Sequence, residues 1–216
     1  MDEAARIRSL DEGALVEDVV PVAGRDLRVL RPRDAEALLD ENAFEHEEFL
    51  PYWADLWPSA IALARAVGVR ALHGARTLEL GCGLALPSIA AALAGGRVLA
   101  SDWSPDAIAM AARNAELNGA RLETLVCSWT APEPLLERGP WSLLLASDVL
   151  YEARNGEALL PLLPRLVAPR GEIWLADPGR PAAARFLAAA AEEFAIAARP
   201  AEEIPQGAVH VMRLRA

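Results

Sequence analysis

The chain has 216 residues, more than half of them apolar, and a formal charge of -10. That length suits one α/β domain with a sizeable core, and no apolar run is long enough to span a bilayer. The acidic balance disfavours general nucleic-acid binding, which needs a basic face, and suits either simple solubility or attraction of a cationic substrate or partner.

The N-terminal stretch MDEAARIRSLDEG is acidic and polar, unlike a signal or transit peptide, so a cytoplasmic protein is expected. Residues 16–20 (VEDVV) and 26–30 (DLRVL), joined through AGRD, read as a small β-hairpin. Asp34 is placed as a helix N-cap before AEALLDENAF. His46, with Glu45, Glu47 and Glu48, reads as a solvated helix face or as a recruiting patch for basic partners. In the aromatic segment FLPYWADLWPSAIALARAV, Pro58 suits the first turn of a helix running to about Val69.

From Thr77 the chain alternates between strand and helix patterns. Strands are expected at 77–80, 97–101, 122–128, 142–147 and 171–176, with helices near 86–95, 105–118, 155–167 and 181–194. Ser104 as N-cap, Pro105 at the first helical position and the stop Asn118-Gly119 frame one of these helices. Residues 194–200 and 208–215 read as a final antiparallel pair around EEIPQG. The expected fold is a Rossmann-like, seven-stranded, mostly parallel sheet with helices on both faces, its last strand antiparallel, plus the N-terminal hairpin. Cys82 and Cys127 would then end strands two positions apart, about 9 to 10 Å, too far for a disulfide. No His or Cys spacing suggests a metal site. All 21 basic residues are arginine, so this chain has no lysine to act as nucleophile or Schiff base.

The stretch TLELGCGLALPSIAAALAGG forms a strand, a glycine turn and a helix start. A dinucleotide fingerprint needs a third glycine, but Leu86 stands there, and no Lys-Ser/Thr pair makes a P-loop. What remains is Glu79, Gly81, Gly83 and Ala85 at alternate positions, with Cys82 between the glycines. Such a turn brings backbone N–H groups close to a ligand. Asp102, at the end of the next strand, is placed to accept both hydroxyls of a ribose or to cap the following helix. Trp103 would face the same crevice or the core.

ELGCGLA, followed by ASDWSPDAIAMAARNAELNG, resembles the cofactor half of the seven-strand S-adenosylmethionine-dependent methyltransferases. PYWADLWPSAIALA, SDVLY and LADPGR narrow the resemblance to the protein-lysine methyltransferase branch. The resemblance implies a single domain over 1–216, with 1–50 an N-terminal extension and 51–216 the cofactor-binding core. It implies that Glu79, Gly81, Cys82 and Gly83 lie under the methionine part of S-adenosylmethionine, that Asp102 holds its ribose and that Trp103 lies against its adenine. At the third strand's end, Ser128 stands where the family often has an acidic residue, followed by Trp129; Ser147 borders the site after the fourth strand. S-adenosylhomocysteine is the implied product.

Methyl transfer from a sulfonium is an in-line displacement, which asks the protein to align a neutral nucleophile and exclude water. The resemblance implies that Asp148 contacts the substrate amine and that Tyr151 shapes its channel. Asp148 also reads as a loop cap or as the partner of an arginine such as Arg154. Trp53 and Trp57, four apart, would share one helix face and either pack in the core or, for Trp57 in particular, cover the methionine end. Asp177-Pro178-Gly179-Arg180 is either a turn with a helix start or a substrate contact. SDVLY is not the (N/D)PP(Y/F) motif of enzymes that methylate base or glutamine amides. A protein lysine amine is the expected acceptor, with a small-molecule amine, or a non-catalytic cofactor-binding partner, as alternatives.

Overall fold

The computed structural model describes residues 12–35 and 51–215, so the helix expected after Asp34 and the acidic patch at 45–48 lie outside the described residues. Strands β1 (Leu15–Val22) and β2 (Arg25–Pro32) pair antiparallel around Ala23 and Gly24, both at positive φ. Left-handed turn residues match the twist of paired strands, so the ladder runs up to the turn itself, beyond the expected 16–20 and 26–30.

A single 3-10 turn at Tyr52–Ala54 leads to α1 (Pro58–Gly68). Then follow β3 (Arg76–Leu80), α2 (Leu86–Leu93), β4 (Arg97–Asp102), α3 (Pro105–Leu117), β5 (Leu122–Val126), α4 (Glu133–Glu137) and β6 (Trp141–Ser147). The chain ends with α5 (Ala153–Leu166), β7 (Val167–Asp177), α6 (Pro181–Ala190), β8 (Phe194–Arg199) and β9 (Ala208–Leu214). These strands form one seven-stranded sheet ordered β5-β4-β3-β6-β7-β9-β8, with β9 antiparallel to both neighbours, as expected. Strand order reverses between β3 and β6, which opens a crevice outside their C-terminal ends. Both cysteines are free, with β4 between the strands they follow.

Alternation along each strand feeds two cores. Leu143, Leu145, Trp174 and Val211 face α1, α2, α3 and the hairpin, joining Leu63, Ile89, Met110 and Val29. Leu78, Leu144, Ile173 and Met212 face α5 and α6, joining Leu163 and Phe186. Among the described residues, no helix is long and apolar enough to cross a membrane.

The hairpin is tied to the sheet by two asparagines on one face of α3. Asn118 Oδ1 accepts from Arg28 N–H at 2.9 Å and its Nδ2 donates to Arg28 O at 2.7 Å. Asn114 does the same at Leu30, at 2.8 and 3.0 Å, and also donates to Leu84 O at 3.1 Å. Four helical residues rise about 6 Å and two strand residues rise about 6.6 Å, so the two amides stand in for a neighbouring strand. Through Leu84, Asn114 also joins the hairpin to the glycine turn.

Candidate functional site

The C-terminal ends of β3, β4, β5 and β6 open onto a cavity of about 780 Å³, a size that suits a small-molecule ligand. Its floor is the glycine turn. Gly81 sits at φ +66, where a Cβ would lie 3.0 Å from Val149 Cγ1 and 3.2 Å from the Trp129 ring. Gly83, at φ +49, would bring a Cβ within 3.2 Å of Trp53 O. Both glycines are therefore required by conformation and by crowding. Ala85 takes a left-handed φ of +61 as N-cap of α2, although it carries a Cβ. Cys82 also borders the cavity, and burial raises its thiol pKa well above the ordinary value.

Glu79 departs from expectation. It is wholly buried behind the turn and is not part of the cavity wall. Its Oε2 accepts the Ser88 N–H at 2.9 Å in the first turn of α2, and its Oε1 has no partner. Burial pushes its pKa up to about 8, against the pull of the Ser88 bonds and with the help of the Asp102 charge. Through the Ser88 N–H bond Glu79 braces the first turn of α2.

Asp102, 5% exposed, ends β4 at the cavity wall. Its Oδ2 accepts the Gly83 N–H and its Oδ1 accepts the Ser104 N–H, each at 3.0 Å. Burial raises its pKa, and these backbone donors oppose the rise. Ser104 Oγ caps α3 by accepting from Ala107 N–H at 3.3 Å, so the helix cap does not depend on Asp102 alone. A carboxylate oxygen that accepts one bond keeps capacity for a second, which leaves Asp102 able to receive two hydroxyls.

Trp103, exposed, and Trp129, half-buried, give the cavity two aromatic walls. Ser128 Oγ shares a 2.8 Å bond with Thr130 Oγ1 and accepts the Thr130 N–H at 3.3 Å. Ser147 completes this side. Trp53 and Trp57 both border the cavity but do not share a helix face, because the 3-10 turn ends at Ala54 and Trp57 is the extended N-cap of α1. Pro58 imposes that break by excluding helical geometry from the residue before it. Trp57 Nε1 donates to Tyr52 O at 2.7 Å.

Opposite Asp102 lies Asp148, 7% exposed and in a left-handed conformation at φ +58. Its arginine partner is Arg180, at 2.7 Å from Oδ1, whereas Arg154 pairs with Glu152. Asp148 Oδ2 has no hydrogen-bond partner. Burial raises the pKa of Asp148, and Arg180 and the nearby Ser59 hydroxyl draw it back. Tyr151 packs its ring 5.1 Å from that of Tyr52, tilted by 53°, and burial raises its phenol pKa. Tyr52 was not anticipated; its place beside the paired tryptophans in PYWADLW was the available signal. Arg180, left open as a turn residue or a substrate contact, enters the cavity.

Two buried carboxylates, one after β4 and one after β6, therefore border a single cavity walled by aromatic rings and floored by the glycine turn. That arrangement suits a nucleoside carrying positive charge on one side and an amine on the other.

The family model described as lysine methyltransferase matches residues 51–193. An electron transfer flavoprotein beta subunit lysine methyltransferase from Xenopus laevis is 35% identical over 139 residues, covering 60% of this chain and 53% of that protein. A histone-arginine methyltransferase from Mus musculus is 29% identical over 162 residues, covering 71% of this chain and 60% of its own. The chain thus spans about half the length of the first of these relatives. Among solved structures, the Lactobacillus delbrueckii subsp. bulgaricus ribosomal protein L11 methylase superposes with a TM-score of 0.58 at 24% identity, covering 71% of this chain and 77% of its own. The T. thermophilus 16S rRNA N2 G1207 methyltransferase gives a TM-score of 0.67 at 16% identity, covering 94% and 51%. These two likenesses concern the fold.

Proposed function

The chain belongs to the lysine methyltransferase family, and on that premise we propose that it transfers a methyl group from S-adenosylmethionine to a lysine side-chain amine of a protein. The observation that carries this reading is the pair of buried carboxylates bordering one cavity, Asp102 tied to the glycine turn and Asp148 following β6. S-adenosylmethionine supplies an activated methyl group when bound. Asp102 receives the ribose hydroxyls, and Trp103 and Trp129 flank the adenine beside Ser128. Gly81, Cys82 and Gly83 pass under the methionine portion, where Trp57 and Ser147 close the wall. Gly81 leaves the room that a Cβ would fill.

Asp148 receives the acceptor nitrogen through Oδ2, and Tyr151 shapes its approach. The amine must be neutral to attack, so its proton leaves to solvent; bound S-adenosylmethionine would supply the methyl carbon to that nitrogen, its sulfur leaving as the thioether of S-adenosylhomocysteine. Tyr52, Trp57 and Tyr151 line the cavity on this side. The net negative charge draws in a basic acceptor. The relatives named for electron transfer flavoprotein and histone substrates support a protein acceptor.

The test is to incubate the protein with methyl-labelled S-adenosylmethionine and lysate of its source organism, then identify the labelled amino acid. Methyl-lysine in discrete protein bands, lost with Asp148→Asn, is the expected result; this chain has no lysine of its own to contribute background. Label confined to small molecules would replace the acceptor with a free amine. Methyl-arginine would overturn the lysine assignment, and bound cofactor without any transfer would make the chain a non-catalytic partner.

A further inference from the structure

Arg180 follows β7 yet reaches into the cavity, where a fixed cation stands beside the place proposed for an amine. Its Nη1 lies 2.7 Å from Asp148 Oδ1 and 3.0 Å from Asp177 Oδ2, joining two buried carboxylates. The turn that aims it is rigid. Asp177 Oδ1 accepts the N–H groups of Gly179 and Arg180, each at 2.8 Å, and Pro181 opens α6. Gly179, at φ +95, packs so tightly that a Cβ would collide with Gln206 O. Asp148 is fixed as well, by its left-handed backbone and by an N–H bond to Ala176 O at 3.0 Å. With Oδ1 occupied, Oδ2 lies buried, with the Ser59 hydroxyl nearby.

We propose that Arg180 is a positioning residue for methyl transfer: by holding Asp148 Oδ1 it favours the charged form of that carboxylate and fixes its place at the cavity wall for the acceptor nitrogen. This rests on reading the cavity as a methyl-transfer site. Without the guanidinium, the buried Asp148 carboxylate loses its cation while the Asp177 charge stays nearby, so Asp148 takes up a proton more readily. Other groups do not compensate. Ser59 of α1 offers a neutral hydroxyl, and Glu152 and Arg154 of the same loop hold each other. Tyr151 has a raised pKa, and His210 of β9, near Asp177, has a lowered one, so both are neutral at pH 7.

The experiment compares wild type, Arg180→Gln and Arg180→Lys by carbon NMR of protein labelled at its aspartate carboxyls, with Asp148→Asn assigning the Asp148 signal. Asp148 is expected to titrate over the same pH range in wild type and Arg180→Lys. In Arg180→Gln its midpoint should rise by a unit or more, about a tenfold change in its protonation equilibrium. In the lysate assay, Arg180→Gln should lose at least tenfold in initial labelling at pH 7 and regain it as pH rises, while Arg180→Lys stays near wild type. One shared midpoint, or an equal loss at every pH, overturns the proposal. Binding of S-adenosylhomocysteine, followed by calorimetry, should stay within threefold in all three proteins. Its absence from wild type would sink the methyl-transfer reading without touching the NMR result.

Discussion

Replacing Asp102 separates ligand binding from loop support, because its carboxylate already serves the fold through Gly83 and Ser104. A hydrogen bond to a charged group contributes about 1.5–3 kcal/mol. Two ribose hydroxyls on one carboxylate, allowing for their coupling, therefore account for about 3–4 kcal/mol, or a 10²–10³-fold loss of affinity at about 1.4 kcal/mol per tenfold. Asp102→Ala also strips the two backbone N–H groups of their acceptor, each worth about 1–3 kcal/mol of stability when left unsatisfied. Asp102→Asn keeps one oxygen and should fold closer to wild type while still losing most of the affinity. Calorimetric titration with S-adenosylhomocysteine, alongside thermal unfolding, resolves the two effects. A melting temperature that falls while affinity changes less than threefold would refute the reasoning, since Asp102 would then serve the loop alone.

Glu79→Gln should change how stability responds to pH. The unfolded chain loses this proton near the ordinary value of 4.5, whereas the folded protein keeps it to about 8. Wild-type stability from this group is thus fully present below about pH 4.5 and is lost as pH rises toward 8, at up to about 1.4 kcal/mol per unit. Melting temperatures should diverge in favour of Gln across that window, and a constant difference would count against the buried protonated acid. Ala85→Gly removes a Cβ from a left-handed position and should stabilise the protein by up to about 1 kcal/mol, read by urea unfolding; a loss of stability would contradict that. Gly83→Ala should do the reverse, because its Cβ meets the Trp53 backbone, and should weaken S-adenosylhomocysteine binding as the turn shifts; unchanged binding would argue that the turn has slack.

Much of this was legible from residue patterns because single groups act locally. Ser104, Pro105 and Asn118-Gly119 bound α3 close to where capping chemistry puts them, and β4 before it follows from a run of buried residues. What escaped the sequence depends on contacts distant along the chain. The Asp148–Arg180 pair spans 32 positions, so spacing pointed to the nearer Arg154 instead. Glu79 carries the expected identity, but its burial behind the turn appears only once α2 is packed. Helix α4 is too short for a helical period to register, and Trp53 and Trp57 satisfy helical spacing across a stretch that Pro58 prevents from being helical. The Asn114 and Asn118 clamp has helical spacing, yet its partner strand lies more than eighty residues earlier.

A crystal structure with S-adenosylhomocysteine tests the central assignment most directly. The account predicts density in the crevice between β3 and β6, with both ribose hydroxyls on the Asp102 carboxylate and the thioether sulfur on the Asp148 side. A crevice without density at saturating ligand, or a nucleoside whose ribose lies away from Asp102, would contradict it.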